Sequence, residues 1–266
     1  SQGGDINLTG NASSTAGVDR GVHVHGASTD AVSIDANGGA VNLIGSFPTN
    51  NGAGQIDHGI HTANLTVLNS GAGAITITGD GTDSASTGAV RGITFESTRI
   101  QTDSGSIDIT GTAGKASSNS RGITVENNTL SVLSASGPIT IIDQAPVGLT
   151  GTYNGLYLEA STGDGVIFGA NGSDVTTSSS VVTIQADKFA FDGNESIDTT
   201  GPVTIEPNST SFASSISVPV SLFSSNISGL TIGKAGNTAG VTVGSATTIG
   251  GPITIYSDAI DINAAL

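Results

Sequence analysis

The stretch Gly105-Ser-Ile-Asp-Ile-Thr-Gly111 decides the fold, because variants of it return along the whole sequence. In each copy one polar residue stands between two aliphatic residues, and a glycine lies two positions before them. Apolar and polar residues in alternation are typical of a short β-strand with one buried face, and the glycine indicates a turn at its start. The other copies begin at Gly4, Gly39, Gly73, Gly137, Gly201 and Gly251.

The first aliphatic residue of each copy sets the length of the repeat. Five long units, with spacings of 35, 34, 32 and 32 residues, begin this phrase at Ile6, Val41, Ile75, Ile107 and Ile139. Each long unit carries two further alternating phrases. The second phrases begin at Arg20, His58, Arg91, Arg121 and Asn154, and the third at Val32, Leu65, Ile100, Leu130 and Val166. Later copies are only 21, 27 and 23 residues apart and begin at Val182, Val203, Leu230 and Ile253.

Three strand phrases per repeat predict an all-β solenoid with three strands per coil and about nine coils. Each strand would pair in parallel with its counterpart one repeat away, at about 4.8 Å, while inward side chains form columns. We predict one continuous solenoid, with coils of about 32–43 residues over 1–172 and of about 21–27 residues over 173–266. The long coils place their insertions between the first and second phrases, where we expect a ridge of loops along one corner.

Composition narrows the partners. The 266 residues include no Cys, Met or Trp and carry a net charge of −15. This charge disfavours nucleic acid and anionic lipid surfaces, and it suits divalent cations. No apolar run approaches the roughly 18 residues of a membrane helix, so we expect no membrane insertion. The absence of cysteine fits an extracellular protein that is stabilised without disulfides.

Histidines on the second phrase suggest a metal site. Alternation places His23 and His61 outward in adjacent coils, with His25 further along the same face, where the three could hold zinc or nickel. The alternative is a solvent-exposed polar ladder, because the same column continues as Thr94, Thr124 and Tyr157.

A second polar column precedes the glycine of every second phrase. We predict a structural ladder that serves corner carbonyls or loop acids, formed by Arg20, His58, Arg91, Arg121 and Asn154.

A third pattern consists of acids beside glycines, at Asp80, Asp83 and Asp164. It suggests either calcium binding or turns whose acids are solvated. Calcium is therefore the only cofactor besides zinc or nickel that the sequence suggests.

No catalytic residues are predicted. A polysaccharide lyase or glycosidase on this architecture would need carboxylates about 5 to 9.5 Å apart. Asp108 lies on the outer face of the first phrase, in a column made mostly of threonine and asparagine. That column contains one acid and no acid pair.

The short repeats Gly201-Pro-Val-Thr-Ile205 and Gly251-Pro-Ile-Thr-Ile-Tyr256, with Leu230 to Val243 between them, resemble the haemagglutinin-type repeats of filamentous-haemagglutinin-like adhesins. These giant bacterial exoproteins use two-partner secretion. The long units resemble the beta strand repeats of similar surface proteins. The resemblance implies a right-handed parallel β-helix, secretion, and a role in a cell-surface fibre used for adhesion or for building a biofilm matrix.

The leading hypothesis is a non-catalytic segment of a bacterial extracellular fibre or adhesin. Its partners would be further repeats of the same longer chain, a second molecule stacked end to end, or surface glycans and proteins. The alternative is a carbohydrate-active β-helix, such as a lyase, a glycosidase or a tailspike-like depolymerase. A third hypothesis is an assembly module that depends on calcium or a transition metal.

Overall fold

The computed structural model describes residues 3–12, 20–27, 31–47, 56–69, 71–82, 88–115, 119–149, 151–160, 165–191, 193–219, 222–244 and 248–263. Within these ranges the chain is all β and contains no α-helix. Accordingly, the described part of the chain has no helix long and apolar enough to cross a membrane.

The strands are short and follow the predicted phrases. The strands of the first half are β1 (Ile6–Asn11), β2 (Arg20–His25), β3 (Val32–Asp35), β4 (Val41–Ser46), β5 (Ile56–Asn69), β6 (Ile75–Asp80), β7 (Ala89–Thr102), β8 (Ile107–Thr112), β9 (Arg121–Asn128), β10 (Leu130–Ser134) and β11 (Ile139–Gln144). Those of the second half are β12 (Leu156–Ala160), β13 (Val166–Gly169), β14 (Val182–Gln185), β15 (Phe189–Phe191), β16 (Glu195–Asp198), β17 (Val203–Glu206), β18 (Ile216–Val218), β19 (Leu230–Ile232), β20 (Val241–Val243), β21 (Ile253–Ile255) and β22 (Ile260–Ile262).

These strands stack as a parallel β-solenoid. The first sheet has the order β1-β4-β6-β8-β11-β14-β17-β19-β21 and holds the first phrase of every repeat. The second sheet holds the other phrases of the long coils together with β15 and β16, which follow β14 in the chain. The third sheet has the order β18-β20-β22. Every strand pair is parallel.

The predicted first column is confirmed residue by residue. Successive Cα partners in the first sheet are Ile6, Val41, Ile75, Ile107, Ile139, Val182, Val203, Leu230 and Ile253. From Val41 to Leu230 these side chains are buried and belong to one continuous apolar core. Burying an aliphatic side chain is worth about 1.5–3 kcal/mol, so the column is a main source of stability.

Two coils lack the three separate strands that the sequence predicts. In each, the second and third phrases merge into one 14-residue strand, β5 or β7. A single residue with positive φ turns the corner, Asn64 at 51° and Ser97 at 47°. Because one left-handed residue redirects the chain without ending the pairing, Ala63 and Leu65 on either side of Asn64 are both buried.

The third phrase of the third unit begins two residues earlier in the structure than the sequence predicts. Ile100 pairs with Val67 and Val132, so the phrase begins at Thr98 instead of Ile100. Thr98 occupies an inward position that is aliphatic in the coils on either side, Leu65 and Leu130. Its hydroxyl lies 2.8 Å from that of buried Thr62, and this hydrogen bond allows a polar residue in the core.

Glycine at the end of the first phrase lets two parts of a coil approach each other. A Cβ on Gly45 would stand 2.1 Å from the Gly59 carbonyl oxygen, and a Cβ on Gly79 would stand 2.2 Å from that of Gly92. Only glycine fits such a backbone contact.

The predicted loop ridge beyond this corner falls largely on 13–19, 48–55, 83–87 and 116–118, which lie outside the described residues.

We predict that Ile107→Asp lowers the free energy of unfolding by more than about 4 kcal/mol, because it places an unpaired charge in the column. The control Thr110→Asp, on the outer face of the same strand, should cost about 1 kcal/mol or less. Urea unfolding followed by circular dichroism measures both. Equal losses for the two variants would contradict the inward placement of Ile107.

Candidate functional site: the outer face of the second phrases

Polar side chains form two adjacent columns on the outer face of the second sheet. The first contains Arg20, His58, Arg91 and Arg121 in successive register, and the bridge between Ser120 and Tyr153 places Asn154 next in line. The second contains His23, His61, Thr94, Thr124 and Tyr157. The structure therefore brings the predicted ladder and two of the predicted metal-binding histidines side by side.

Three of these polar side chains contact the coil that follows their own. His58 Nδ1 lies 2.9 Å from Thr94 Oγ1, and His61 Nε2 lies 3.0 Å from Glu96 Oε1. The Arg121 guanidinium carbon lies 3.4 Å from the centre of the Tyr157 ring, in a cation–π contact. Because these contacts all run in one direction, the columns link successive coils through side chains as well as backbone.

Burial varies along this surface, because His23 is exposed whereas the members of the middle coils are buried. His58, Arg91 and Arg121 each keep only 5–6% of their surface exposed, and Thr94 and Thr124 are buried as well. Buried polar groups stabilise only when they are bonded, so the contacts between coils are what permits this surface to be polar.

The rings of the four histidines contact one another in a row, in which three rings are stacked and the fourth is tilted. His23 and His61 lie parallel with ring centres 5.0 Å apart, His58 and His61 are 4.8 Å apart, and His25 is tilted against His23 at 5.7 Å. Ring nitrogens of face-to-face imidazoles lie side by side and do not converge on one point. Among the described residues no group of three or more His, Asp or Glu side chains could hold a metal ion. Within the set His23, His25 and His61, the rings of His23 and His61 lie face to face and His25 is tilted against His23. A metal site at these residues stays a prediction.

Burial and neighbouring charges lower the pKa of His58, His61 and His23. Desolvation lowers the pKa of His58 well below its usual value, and His61 and Arg91 add to the effect. Desolvation also lowers the pKa of His61, although its bond to Glu96 opposes the shift. The pKa of His23 is lowered by partial burial and by Arg20.

Of the three predicted calcium ligands, Asp80 alone lies within the described residues. Asp80 uses Oδ1 to accept the Thr82 amide at 2.8 Å and the Thr82 hydroxyl at 2.6 Å, which closes a local turn. Asp83 and Asp164 lie outside the described residues. Asp108 accepts the Ser106 hydroxyl at 2.9 Å and lies between Thr76 and Thr140, as its column predicts.

Sequence reasoning missed a fully buried acid, Asp143. Asp143 occupies the place that glycine holds in the earlier long coils, and it pairs with Gly111. Its carboxylate is fully buried and accepts the Ile123 amide at 2.6 Å and the Tyr153 hydroxyl. The sequence did contain a signal for this acid, because Asp143 stands at a position that is glycine in the earlier long units.

No positive charge neutralises this carboxylate in the contacts that shape its pKa. Burial raises the pKa of Asp143 to about 7, and Asp187 adds to the rise, while the bonds from Tyr153, Ile123 and Gly122 oppose it. Burial and the Asp143 charge raise the pKa of the Tyr153 hydroxyl, which therefore stays protonated. Asp143 thus changes charge near neutral pH inside the core.

Comparisons with protein-family models, curated proteins and solved structures find no match. The chemistry of the site therefore rests on the geometry alone. Within it, His58, His61 and Arg121 each contact a side chain of the neighbouring coil.

We predict that Asp143→Asn raises stability at pH 7.5 and removes a pH dependence. The unfolded acid ionises near pH 3.8 and the folded acid near 7, so the contribution of Asp143 to stability falls as pH rises through this range, by on the order of 4 kcal/mol. Asparagine mimics the protonated acid and should abolish this fall. Tyr153→Phe, which keeps the acid but removes a donor to the carboxylate, should retain it. Urea unfolding between pH 4 and 8 tests both, and an unchanged slope in Asp143→Asn would contradict the assignment.

The histidine stack should respond to acid in the opposite sense. The folded pKa of His58 is depressed, so its contribution is present above pH 6.5 and is lost as pH falls below that value. Relative to wild type, His58→Asn should gain stability as pH falls from 7 to 5. Thr94→Val removes the hydrogen bond without removing the titration, and should lower stability equally across this range. A slope that is the same in His58→Asn and wild type would count against a neutral, buried His58.

Proposed function

We propose that the chain is a non-catalytic structural segment of a bacterial extracellular fibre or adhesin, which supplies length, rigidity and a surface for contacts. The observation that carries this proposal is the first sheet, where nine strands pair in parallel without a break. A ladder of this kind transmits load through backbone hydrogen bonds along the stacking direction. The side-chain bonds between coils on the outer face add to it.

The finer architecture belongs to the same proposal. We propose nine right-handed, three-sided coils in one solenoid, with long coils over 1–172 and short coils over 173–266. At about 4.8 Å per coil the rod would be on the order of 40 Å long. The repeats that resemble filamentous-haemagglutinin-like proteins support secretion to the cell surface and a place among further repeats of the same kind.

The proposed partners follow from the surface. The net charge of −15 disfavours nucleic acid, so contacts would be with neighbouring repeats, a second molecule, or glycans and proteins of host or bacterial surfaces. No cofactor is needed for this role. Calcium stays a prediction that rests on Asp80, Asp83 and Asp164.

Location is tested with an antibody raised against the purified chain and applied to unpermeabilised cells of the source bacterium. The proposal predicts labelling at the surface, along filaments seen by electron microscopy, and loss of the label when the gene is deleted. A matched antibody against a cytoplasmic protein should not label. A signal that appears only after permeabilisation would contradict an extracellular fibre.

Catalysis is tested by incubating the chain with acidic polysaccharides and measuring new reducing or unsaturated ends. We predict none above the level of a heat-denatured sample. Turnover that Asp108→Asn abolishes, while the neighbouring change Thr110→Ala leaves it intact, would replace the fibre proposal with the carbohydrate-active alternative.

A further inference from the structure

One pair of successive strands in the solenoid is not hydrogen-bonded. The second-phrase strands pair in the unbroken series β2-β5-β7-β9-β12-β15, and a new series β18-β20-β22 begins in the next coil. The coils that contain β15 and β18 are paired elsewhere, between β14 and β17 and at the Ile197–Phe223 bridge. Among the described second-phrase strands the ladder is interrupted only between β15 and β18.

Backbone groups on both sides of this interruption face each other. The Lys188 carbonyl accepts the Leu156 amide of β12, and backbone groups alternate along a strand, so those of Phe189 and Phe191 point away from β12. The Ile216 amide donates to Gly240 beside β20, so the groups of Ser215 and Ser217 point away from β20. No backbone bond joins these two rows in the described chain.

A cleft of about 340 Å³ separates the two rows. Phe189 and Phe191 line one side, with their rings stacked at 5.3 Å and both half-buried. Ser215 and Ser217 line the other side and are exposed. The coils meet again at the corner, where the Ala213 amide donates to the Asp187 carbonyl at 2.8 Å. The cleft is therefore a wedge bounded by two free strand edges.

We infer that this cleft binds an extended, uncharged peptide segment of a partner protein, which adds as a strand between β15 and β18. A free strand edge is a template for another strand, and an added strand satisfies both rows of backbone groups at once. It would also continue the ladders on either side at the usual spacing. This inference does not rest on the proposed fibre function.

The side chains beside the cleft define the partner. Phe189 and Ile216 stand at inward positions of their strands, in line with aliphatic Leu156 and Val241, so inward residues of the peptide should be aliphatic. Ala190 and Ser217 stand at outward positions, which suits serine or threonine. Among the described residues of the lining, Lys188 alone is charged, and its Nζ already donates to the Tyr153 carbonyl at 2.8 Å. The fitting segment alternates aliphatic residues with small polar ones.

The probe is a fluorescein-labelled peptide, Ser-Ile-Thr-Val-Thr-Ser, added to the whole chain. We expect saturable binding by fluorescence anisotropy and slower hydrogen exchange at the amides of Phe189, Phe191, Ser215 and Ser217. The same peptide with N-methyl groups on alternate amides should not bind, because it cannot complete the ladder. Amides that are already protected in the free protein would overturn the inference, since β15 and β18 would then pair directly.

A matched pair of variants tests the β18 edge. Ser217→Pro removes an amide that faces the cleft without touching the pairing to β20, and should weaken binding about tenfold. Ser217→Thr keeps the amide and should bind within about twofold of wild type. Circular dichroism confirms that both variants are folded. Equal binding by the two variants, equal binding by the N-methylated peptide, or no exchange protection by the unmodified peptide would overturn the proposal.

Discussion

The pairing of each coil with the next, at one fixed backbone spacing, is the constraint on which the rest of the structure depends. At about 4.8 Å per coil, every side chain lies directly over its counterpart in the neighbouring repeat. An inward position must therefore be apolar in coil after coil, as in the column from Val41 to Leu230. A buried polar position must find its partner one coil away, as His58 does with Thr94. The glycines at Gly45 and Gly79 obey the same rule, since each coil needs the same close backbone contact.

The two places that break this regularity lie where long coils give way to short ones. Asp143 replaces a glycine in the last long coil, and its carboxylate is bonded by Tyr153. The interrupted ladder between β15 and β18 begins in the coil that follows. Lys188 links the two places, because it lines the cleft and donates to the Tyr153 carbonyl.

Columns were predictable from the sequence because they depend only on identical residues at a regular spacing. Ile107 and Ile139 carry the same chemistry 32 residues apart, and the pairing follows. The merging of phrases in β5 and β7 was not predictable, because it depends on the backbone conformation of Asn64 and Ser97. The start of the third phrase in the third unit was not predictable either. Thr98 occupies a core position because its hydroxyl hydrogen-bonds to that of Thr62, and no alternation pattern reveals this bond.

The sequence predicted which residues of the candidate site share a column, but it did not predict their burial or their side-chain contacts. Alternation placed His23 and His61 on one outer face, and the structure pairs them. The burial of His61, the stacking of the two rings and the bond from His61 to Glu96 depend on how side chains lean towards the next coil, which spacing alone does not encode. Asp143 escaped notice for a related reason, since its burial depends on Tyr153, which lies 10 residues away in another part of the coil.

The most direct test of the stacked solenoid uses engineered cysteine pairs in a chain that has no cysteine of its own. Thr78 and Thr110 are Cα partners in adjacent strands, so Thr78→Cys with Thr110→Cys should oxidise to an intramolecular disulfide. Ile44 pairs with Thr78 and so lies two coils from Thr110, at about 9.6 Å, too far for a disulfide. Mass spectrometry of the folded, oxidised variants should show the bond in the first pair and not in a pair of cysteines at 44 and 110. The reverse result would contradict the stack.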